Sequence, residues 1–201
     1  MTEKTNINKS SITGLLKTVE RANILNLIEW LEKDSDFFIA PASTHFHGSF
    51  SGGLAEHSYN VYQCLCSILY LKEFQNFKFK DDSILIVSLL NNVCKINFYK
   101  ETTRNVKNEI TGLWEKQPYY TVEDQEPYGH GEKSVMMIER FIKLTDEEKY
   151  SIRWHMGGFD ESVKGGSFAI GKAYEKYPLA LALHLADMMA TYITENKEVK
   201  K

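Results

Sequence analysis

Cysteine, proline and long apolar runs are all scarce in this chain of 201 residues. Its three cysteines cannot form a complete disulfide framework, and Cys64 and Cys66 lie two apart, which on a helix points them to different faces. We therefore expect core thiols in a reducing compartment. No apolar run approaches the ~20 residues that span a bilayer. The polar first residues, Met1 to Ser10, lack the apolar region of a signal peptide. These absences predict a cytoplasmic protein without a membrane segment.

A surplus of basic residues is also missing, because the formal net charge is -3. Without a basic stripe, the chain cannot release many counterions from a phosphate backbone, which argues against general nucleic-acid binding. A small anionic ligand needs only a local cluster of cations and is still allowed. The length and the 43% hydrophobic content fit one globular domain over residues 1–201. The sequence does not indicate an oligomeric state.

Apolar residues recur at helical spacing through most of the chain, so the predicted fold class is mainly α. The predicted helices cover about residues 11–33 (one long helix or two short ones), 54–74, 84–96, 132–142, 145–154 and 178–194. The third is apolar almost all round and is expected to be central and buried, with Asp81-Asp82-Ser83 at its start. Thr145 and Glu148 have the spacing of a capping box. We expect a glycine-rich loop over 157–166 and a frayed tail over 195–201.

One segment breaks the helical pattern. Residues 104–107 and 119–122 are β-favourable, and Thr111-Gly112 between them indicates a turn. The sequence therefore predicts a small hairpin inserted at about 102–122. We expect it to lie over the site as a lid.

Five short segments place polar residues in apolar or glycine-flanked surroundings. They are 52–58 around His57, 89–95 around Asn91-Asn92, 129–134 around His130, 153–157 around His155, and 185–187 ending in Asp187. Their order resembles the HD-domain phosphohydrolase superfamily, over about residues 52–187. In that family an adjacent His-Asp pair opens an H-D-x-x-K segment. Asn91 and Asn92 stand at the two places of the pair, and Lys95 stands at the place of the lysine.

The resemblance implies a single-domain helical bundle with a site of the family's two-metal kind. His57 and Asp187 would be ligands of the first metal, together with the pair. His130 and His155 would be ligands of the second, bridged by the aspartate of the pair. An intact member would use a metal-bound hydroxide to attack phosphorus, and Lys95 would stabilise the phosphoryl oxygens. Mn, Fe, Mg, Ni and Zn are all allowed as the divalent metal.

The asparagine pair changes this expectation. A neutral amide cannot supply the negative charge of a bridging carboxylate, so Asp187 is the only identified anion among the candidate ligands. Two dications would repel each other strongly there. We expect weak or absent metal binding and very low turnover at catalytic positions Asn91, Asn92 and Lys95. A natural pseudoenzyme and an engineered inactive variant both fit the pattern.

Further cations and aromatic residues indicate the ligand. The candidate substrate contacts are Arg104, Lys107, Lys133, Arg153, Tyr128 and Trp154. Each cation has an alternative as a solvated side chain or, for Arg153, as a structural ion pair. His45 and His47 are candidate ligand contacts but are not assigned as metal ligands. His184 either orients Asp187 or simply packs.

Cations beside aromatic faces favour a nucleotide-like phosphate. The sequence thus predicts an impaired HD-type phosphohydrolase scaffold. A nucleotide-binding sensor that never hydrolyses and a purely structural helical protein are the alternatives.

Overall fold

The architecture is mainly helical, with 55% helix and 9% strand, the strands forming one small antiparallel pair. This is a computed structural model, and it describes residues 2–45 and 47–196. The mainly α prediction is confirmed at this level. Within those residues, no helix has both the length and the hydropathy needed to cross a membrane.

Two helices form the N-terminal part. Helix α1, Glu3–Leu16, begins earlier than predicted because the Thr2 hydroxyl accepts a hydrogen bond from the backbone of Thr5 and caps the helix. Helix α2, Ile24–Glu29, follows Asn23, whose φ of 65° is left-handed. It continues as a π-helical turn, Trp30–Asp34. The alternative of two short helices is therefore confirmed.

In the centre, helix α3 (Gly53–Leu69) packs against both α4 (Asp81–Leu90) and α9 (Pro178–Met189). Helix α4 is buried on nearly every side, as its composition predicts. Its apolar side chains belong to the same core as those of α3 and α9, and each fully buried aliphatic side chain contributes about 1.5–3 kcal/mol. Helix α9 continues as a second π-helical turn, Ala190–Thr194. A 3-10 turn, Val93–Lys95, follows α4.

The predicted hairpin is present. Strand β1, Tyr99–Lys107, pairs with β2, Trp114–Val122, in a register that runs from Tyr99 opposite Val122 to Lys107 opposite Trp114. Most of its residues are exposed. At its base the Tyr99 hydroxyl donates to the carbonyl oxygen of Ala42 at 3.2 Å, so the hairpin contacts the loop that precedes α3. Its role as a lid stays a prediction.

Helices α5 (His130–Glu139) and α6 (Asp146–Trp154) agree with the sequence. The capping box is confirmed, with Glu148 as its acidic member. The region predicted as a glycine-rich loop contains a 3-10 turn, Gly157–Phe159, and a short helix α7, Glu161–Lys164. Helix α8, Ala169–Lys176, was not predicted. Of the predicted tail, residues 195 and 196 are placed against the fold, and 197–201 lie outside the described residues.

The acidic member of the capping box also joins three parts of the chain. Glu148 is 0% exposed and accepts hydrogen bonds from the Arg21 guanidinium, the Ser83 hydroxyl and the Thr145 backbone, each at 2.7 Å. Burial alone would raise the pKa of Glu148, but these bonds outweigh it and hold the pKa below its ordinary value of 4.5. The buried carboxylate of Glu148 thus connects the segment before α2 with the first residues of α4 and α6.

Candidate functional site

The two asparagines after α4 both contact the aspartate of α9. The side-chain amide of Asn91 donates to Oδ2 of Asp187 at 2.9 Å, and that of Asn92 donates to the same oxygen at 3.3 Å. Neighbouring residues of an α-helix point about 100° apart. Both side chains reach one carboxylate because the helix ends here and Asn92 leaves helical geometry, with φ -108° and ψ 17°. Both asparagines are buried.

His57, in α3, lies between two carboxylates. Its Nε2 is 3.6 Å from Oδ2 of Asp187, and its Nδ1 is 3.0 Å from Oε1 of Glu195. Burial alone would lower the pKa of His57, but the two carboxylates outweigh burial and raise it to about 9. Burial would likewise raise the pKa of Asp187, but His57 holds it well below its ordinary range. The site therefore contains a buried cation between two anions.

The other two predicted histidines are neighbours, with ring centroids 5.2 Å apart. His130 begins α5, and its Nε2 lies 2.9 Å from Oδ1 of Asn92, which can only accept, so that nitrogen is protonated in this contact. Nδ1 of His155 lies 2.6 Å from the carbonyl oxygen of Ile152. Nε2 of His155 is buried and has no hydrogen-bond partner within 2–45 and 47–196. Burial lowers the pKa of both imidazoles, so both are neutral near pH 7.

Lys95 ends the 3-10 turn beside this cluster and is 9% exposed. In the part of the chain that the structure describes, its amine has no hydrogen bond or ion pair. Burial lowers its pKa, while the negative charge of Asp187 acts in the opposite direction. A buried ammonium without a partner is costly, and an incoming anion would supply the missing charge.

Two of the predicted substrate cations are held by acidic side chains. The Lys133 amine lies 2.6 Å from Oδ1 of Asp124. Arg153 pairs with Asp160 at 2.7 Å and also with Glu132. Either cation must exchange these partners before it can bind a phosphate.

The remaining predicted substrate contacts are dispersed. Trp154 is buried, and the Arg153 guanidinium lies over its ring at 4.0 Å. Tyr128 is exposed and lines a groove between α5 and α6. Arg104 lies over the ring of Tyr119 at 5.0 Å on the exposed hairpin, and Lys107 is at the far end of the same strand. They do not form one cluster with the histidines.

His184 contacts the segment after α6. Its Nδ1 lies 2.8 Å from the carbonyl oxygen of His155. Gly157 has φ +57°, and a Cβ there would lie 2.2 Å from the His184 ring. The histidine therefore supports the backbone of His155, whereas the alternative considered from sequence placed it on Asp187.

Sequence reasoning missed the roles of two residues in the cluster. Glu195, predicted to be in the tail, bonds His57 and also accepts from the Asn60 side chain at 2.9 Å. His47, predicted to be a ligand contact only, has its ring centroid 4.8 Å from that of His57. The pair of histidines in the loop before α3 was the only signal for His47, and the sequence carried none for Glu195.

Glycines bring the loop of His47 against α3. A Cβ on Gly53 would lie 1.9 Å from the carbonyl oxygen of Gly48, which no side chain could tolerate. Gly48 itself has φ +60°. The close approach of these two backbones requires glycine and places His47 next to the helix that carries His57.

The donor set at the asparagine pair does not fit a two-metal hydrolytic centre. It offers imidazoles, one carboxylate and two neutral amides, and both amides already donate to that carboxylate. A centre with two dications needs a bridging anion, and neither Asn91 nor Asn92 can provide one.

Comparisons with protein-family models, with curated proteins and with solved structures find no match to this chain. The resemblance to HD-domain phosphohydrolases consequently rests on the five sequence segments alone. It enters the functional argument as a proposal.

Proposed function

We propose that this chain is an HD-type phosphohydrolase scaffold that binds a nucleotide-like phosphate ester and hydrolyses it slowly or not at all. The observation that carries the proposal is the bonding of Asn91 and Asn92 to Asp187, within reach of His57 and His130. These are residues that the resemblance assigns to one centre, although they are far apart in the sequence. Their convergence supports descent from a metal-dependent hydrolase.

The impairment follows from charge. At the asparagine pair, the negative charge of Asp187 faces the protonated His57 and is balanced there without a metal. A metal ion in a family-type site would attract Asp187. In this chain the amides of Asn91 and Asn92 donate hydrogen bonds to that carboxylate instead. A carboxylate that already accepts these hydrogen bonds binds a dication weakly. Without the metal, no metal-bound water is activated to attack phosphorus.

The test of this proposal is the metal content of the parent chain beside the Asn91→His, Asn92→Asp variant, with both proteins purified and dialysed identically. We expect the double variant to gain about one to two equivalents of divalent metal over the parent, because a family-type site holds one or two ions. The two single substitutions are matched controls and should gain less. A folded double variant with no gain in metal would refute the proposed origin of the site.

A second candidate function is a nucleotide sensor that binds without metal. The amine of Lys95, which has no bonded partner among the residues that the structure describes, favours it, because an anion site at this position needs no metal to attract phosphate. Binding by the parent chain in the presence of a chelator would support this candidate.

Substitution Lys95→Met separates binding from folding. Removing the buried charge of Lys95 should raise the melting temperature of the free protein. The same change should weaken nucleotide binding by about 10- to 100-fold, since a charge-assisted hydrogen bond contributes about 1.5–3 kcal/mol. Thermal melts and calorimetric titrations in chelator measure both effects.

The matched control is Lys33→Met, which removes an exposed amine that pairs with Glu29. Its nucleotide affinity should equal that of the parent. Equal nucleotide binding by the parent and the Lys95→Met variant would exclude Lys95 as the anion contact. A parent chain that no nucleotide stabilises would rule out the sensor.

A further inference from the structure

A second cluster of possible ligands lies on the other side of His57 from the asparagine pair. It consists of His47 from the loop before α3, His57 from α3, and Glu195 after the second π-helical turn. One ligand atom from each of the three lies within 4.8 Å of those of the other two. Around a tetrahedral zinc ion with bonds of about 2.1 Å, ligand atoms are about 3.4 Å apart. Side-chain movements of about 1 Å would therefore close the cluster around one ion.

Two atoms of this cluster lack partners. Nε2 of His47 and Oε2 of Glu195 are buried and have no hydrogen-bond partner among residues 2–45 and 47–196. Buried polar atoms are paired in the great majority of cases, so an unpaired nitrogen and an unpaired oxygen in one cluster need an explanation. Both are atom types that coordinate metals.

We propose that His47, His57 and Glu195 bind one divalent transition-metal ion, with zinc as the best match. Two imidazoles and one carboxylate are a donor set of catalytic zinc sites, which keep a further position open for water or substrate. Imidazole ligands also suit nickel, and they disfavour magnesium and calcium, which prefer oxygen. The ion would coordinate both atoms that lack a hydrogen-bond partner, Nε2 of His47 and Oε2 of Glu195.

The surroundings of the cluster suit a dication. Metal binding displaces the extra proton of His57, which leaves one ring nitrogen for the ion; Glu195 and Asp187, which lie at its two nitrogens, then supply two negative charges that match the charge of the ion. The Asn60 amide donates to Oε1 of Glu195 at 2.9 Å and leaves Oε2 for the metal. Such outer hydrogen bonds orient ligating carboxylates.

This site is separate from the centre that the sequence predicted. The expectation of weak metal binding applied to His57, His130, His155 and Asp187, and the new cluster shares only His57 with that set. It contains neither asparagine. The inference consequently does not rest on the proposed function, and either can fail while the other holds.

The test is a cobalt titration of the metal-free full chain, followed by visible absorption and competed with zinc. We expect one equivalent to bind, with the absorption bands of a four- or five-coordinate ion. Glu195→Gln and His47→Gln should each weaken binding by at least about 100-fold, more than the loss of a supporting hydrogen bond would. Two variants are used so that a folding defect in one leaves the other informative.

The matched controls are His155→Gln and His45→Gln. The first removes the other histidine with an unpaired nitrogen, and the second removes a histidine of the same loop. Both should bind cobalt with the affinity of the parent. The proposal is overturned if the parent binds no cobalt, if both triad variants retain full affinity, or if His155→Gln alone abolishes binding.

Discussion

The Asn91→His, Asn92→Asp variant is expected to hydrolyse a nucleotide phosphate ester at least about 10³-fold faster than the parent chain. A divalent metal contributes several kcal/mol to phosphoryl-transfer barriers, and each 1.36 kcal/mol is a tenfold change in rate. In the proposed family-type site the aspartate would supply the bridging anion, beside His57, Asp187 and the neighbouring pair His130 and His155. Lys95, in its proposed role, would contact the phosphoryl oxygens. The rate is measured with added manganese over nucleoside mono-, di- and triphosphates and dinucleoside polyphosphates.

The control for this variant is the same double substitution combined with Asp187→Asn. It keeps the restored pair but removes the carboxylate that both asparagines now contact. We expect its rate to equal that of the parent chain. A folded, metal-loaded double variant that stays inactive over the whole substrate panel would contradict the assignment to the hydrolase superfamily.

Glu148→Ala is expected to lower the free energy of unfolding by about 3–5 kcal/mol, because it leaves the Arg21 guanidinium without its buried partner. The substitution also removes the capping box of α6 and the acceptor of the Ser83 hydroxyl. Chemical denaturation followed by circular dichroism measures the loss. The control is Glu29→Ala, which breaks an exposed ion pair within α2 and its following turn and should leave the denaturation midpoint unchanged.

The contribution of Glu148 also has a pH dependence of definite sign. Its pKa in the folded protein lies below the ordinary 4.5. The carboxylate therefore stabilises the fold fully above about pH 4.5, and this stabilisation is lost as the pH falls through the lowered value. The difference in stability between the parent and Glu148→Ala should shrink in acid. A constant difference from pH 7 to pH 3 would show that packing, and not charge, accounts for the effect.

The sequence predicted the central helices because their apolar patterns are strong. Helix α4 is apolar almost all round, and the capping box marks the start of α6. Helix α8 was missed because it is mostly exposed, with only Ala173 buried, and because Gly165, Gly166 and Gly171 suggest a loop. The helix has only eight residues, so its apolar spacing is too short a signal to outweigh those glycines.

The site was only partly predictable for a different reason. The ordered segments identified Asn91, Asn92 and Asp187, and the structure places them in contact. Partners such as Asp124 for Lys133 could not be predicted, because the pairing depends on how the chain folds between them. The position of Glu195 depends on a π-helical turn, which no residue type specifies.

The π-helical turn Ala190–Thr194 determines the direction in which the Glu195 side chain points. In an uninterrupted α-helix, side chains eight residues apart point about 80° away from each other. Here the wider turn, closed by the bond of 2.9 Å from the Glu195 nitrogen to the Ala190 oxygen, changes that angle, and Asp187 and Glu195 reach opposite nitrogens of His57. Deleting one residue from 190–194 would rotate Glu195 by about 100° while Asp187 kept its direction. The contact of Asp187 with His57 thus depends on the packing of α9 in the core. The contact of Glu195 with His57 depends on the number of residues in the π-helical turn.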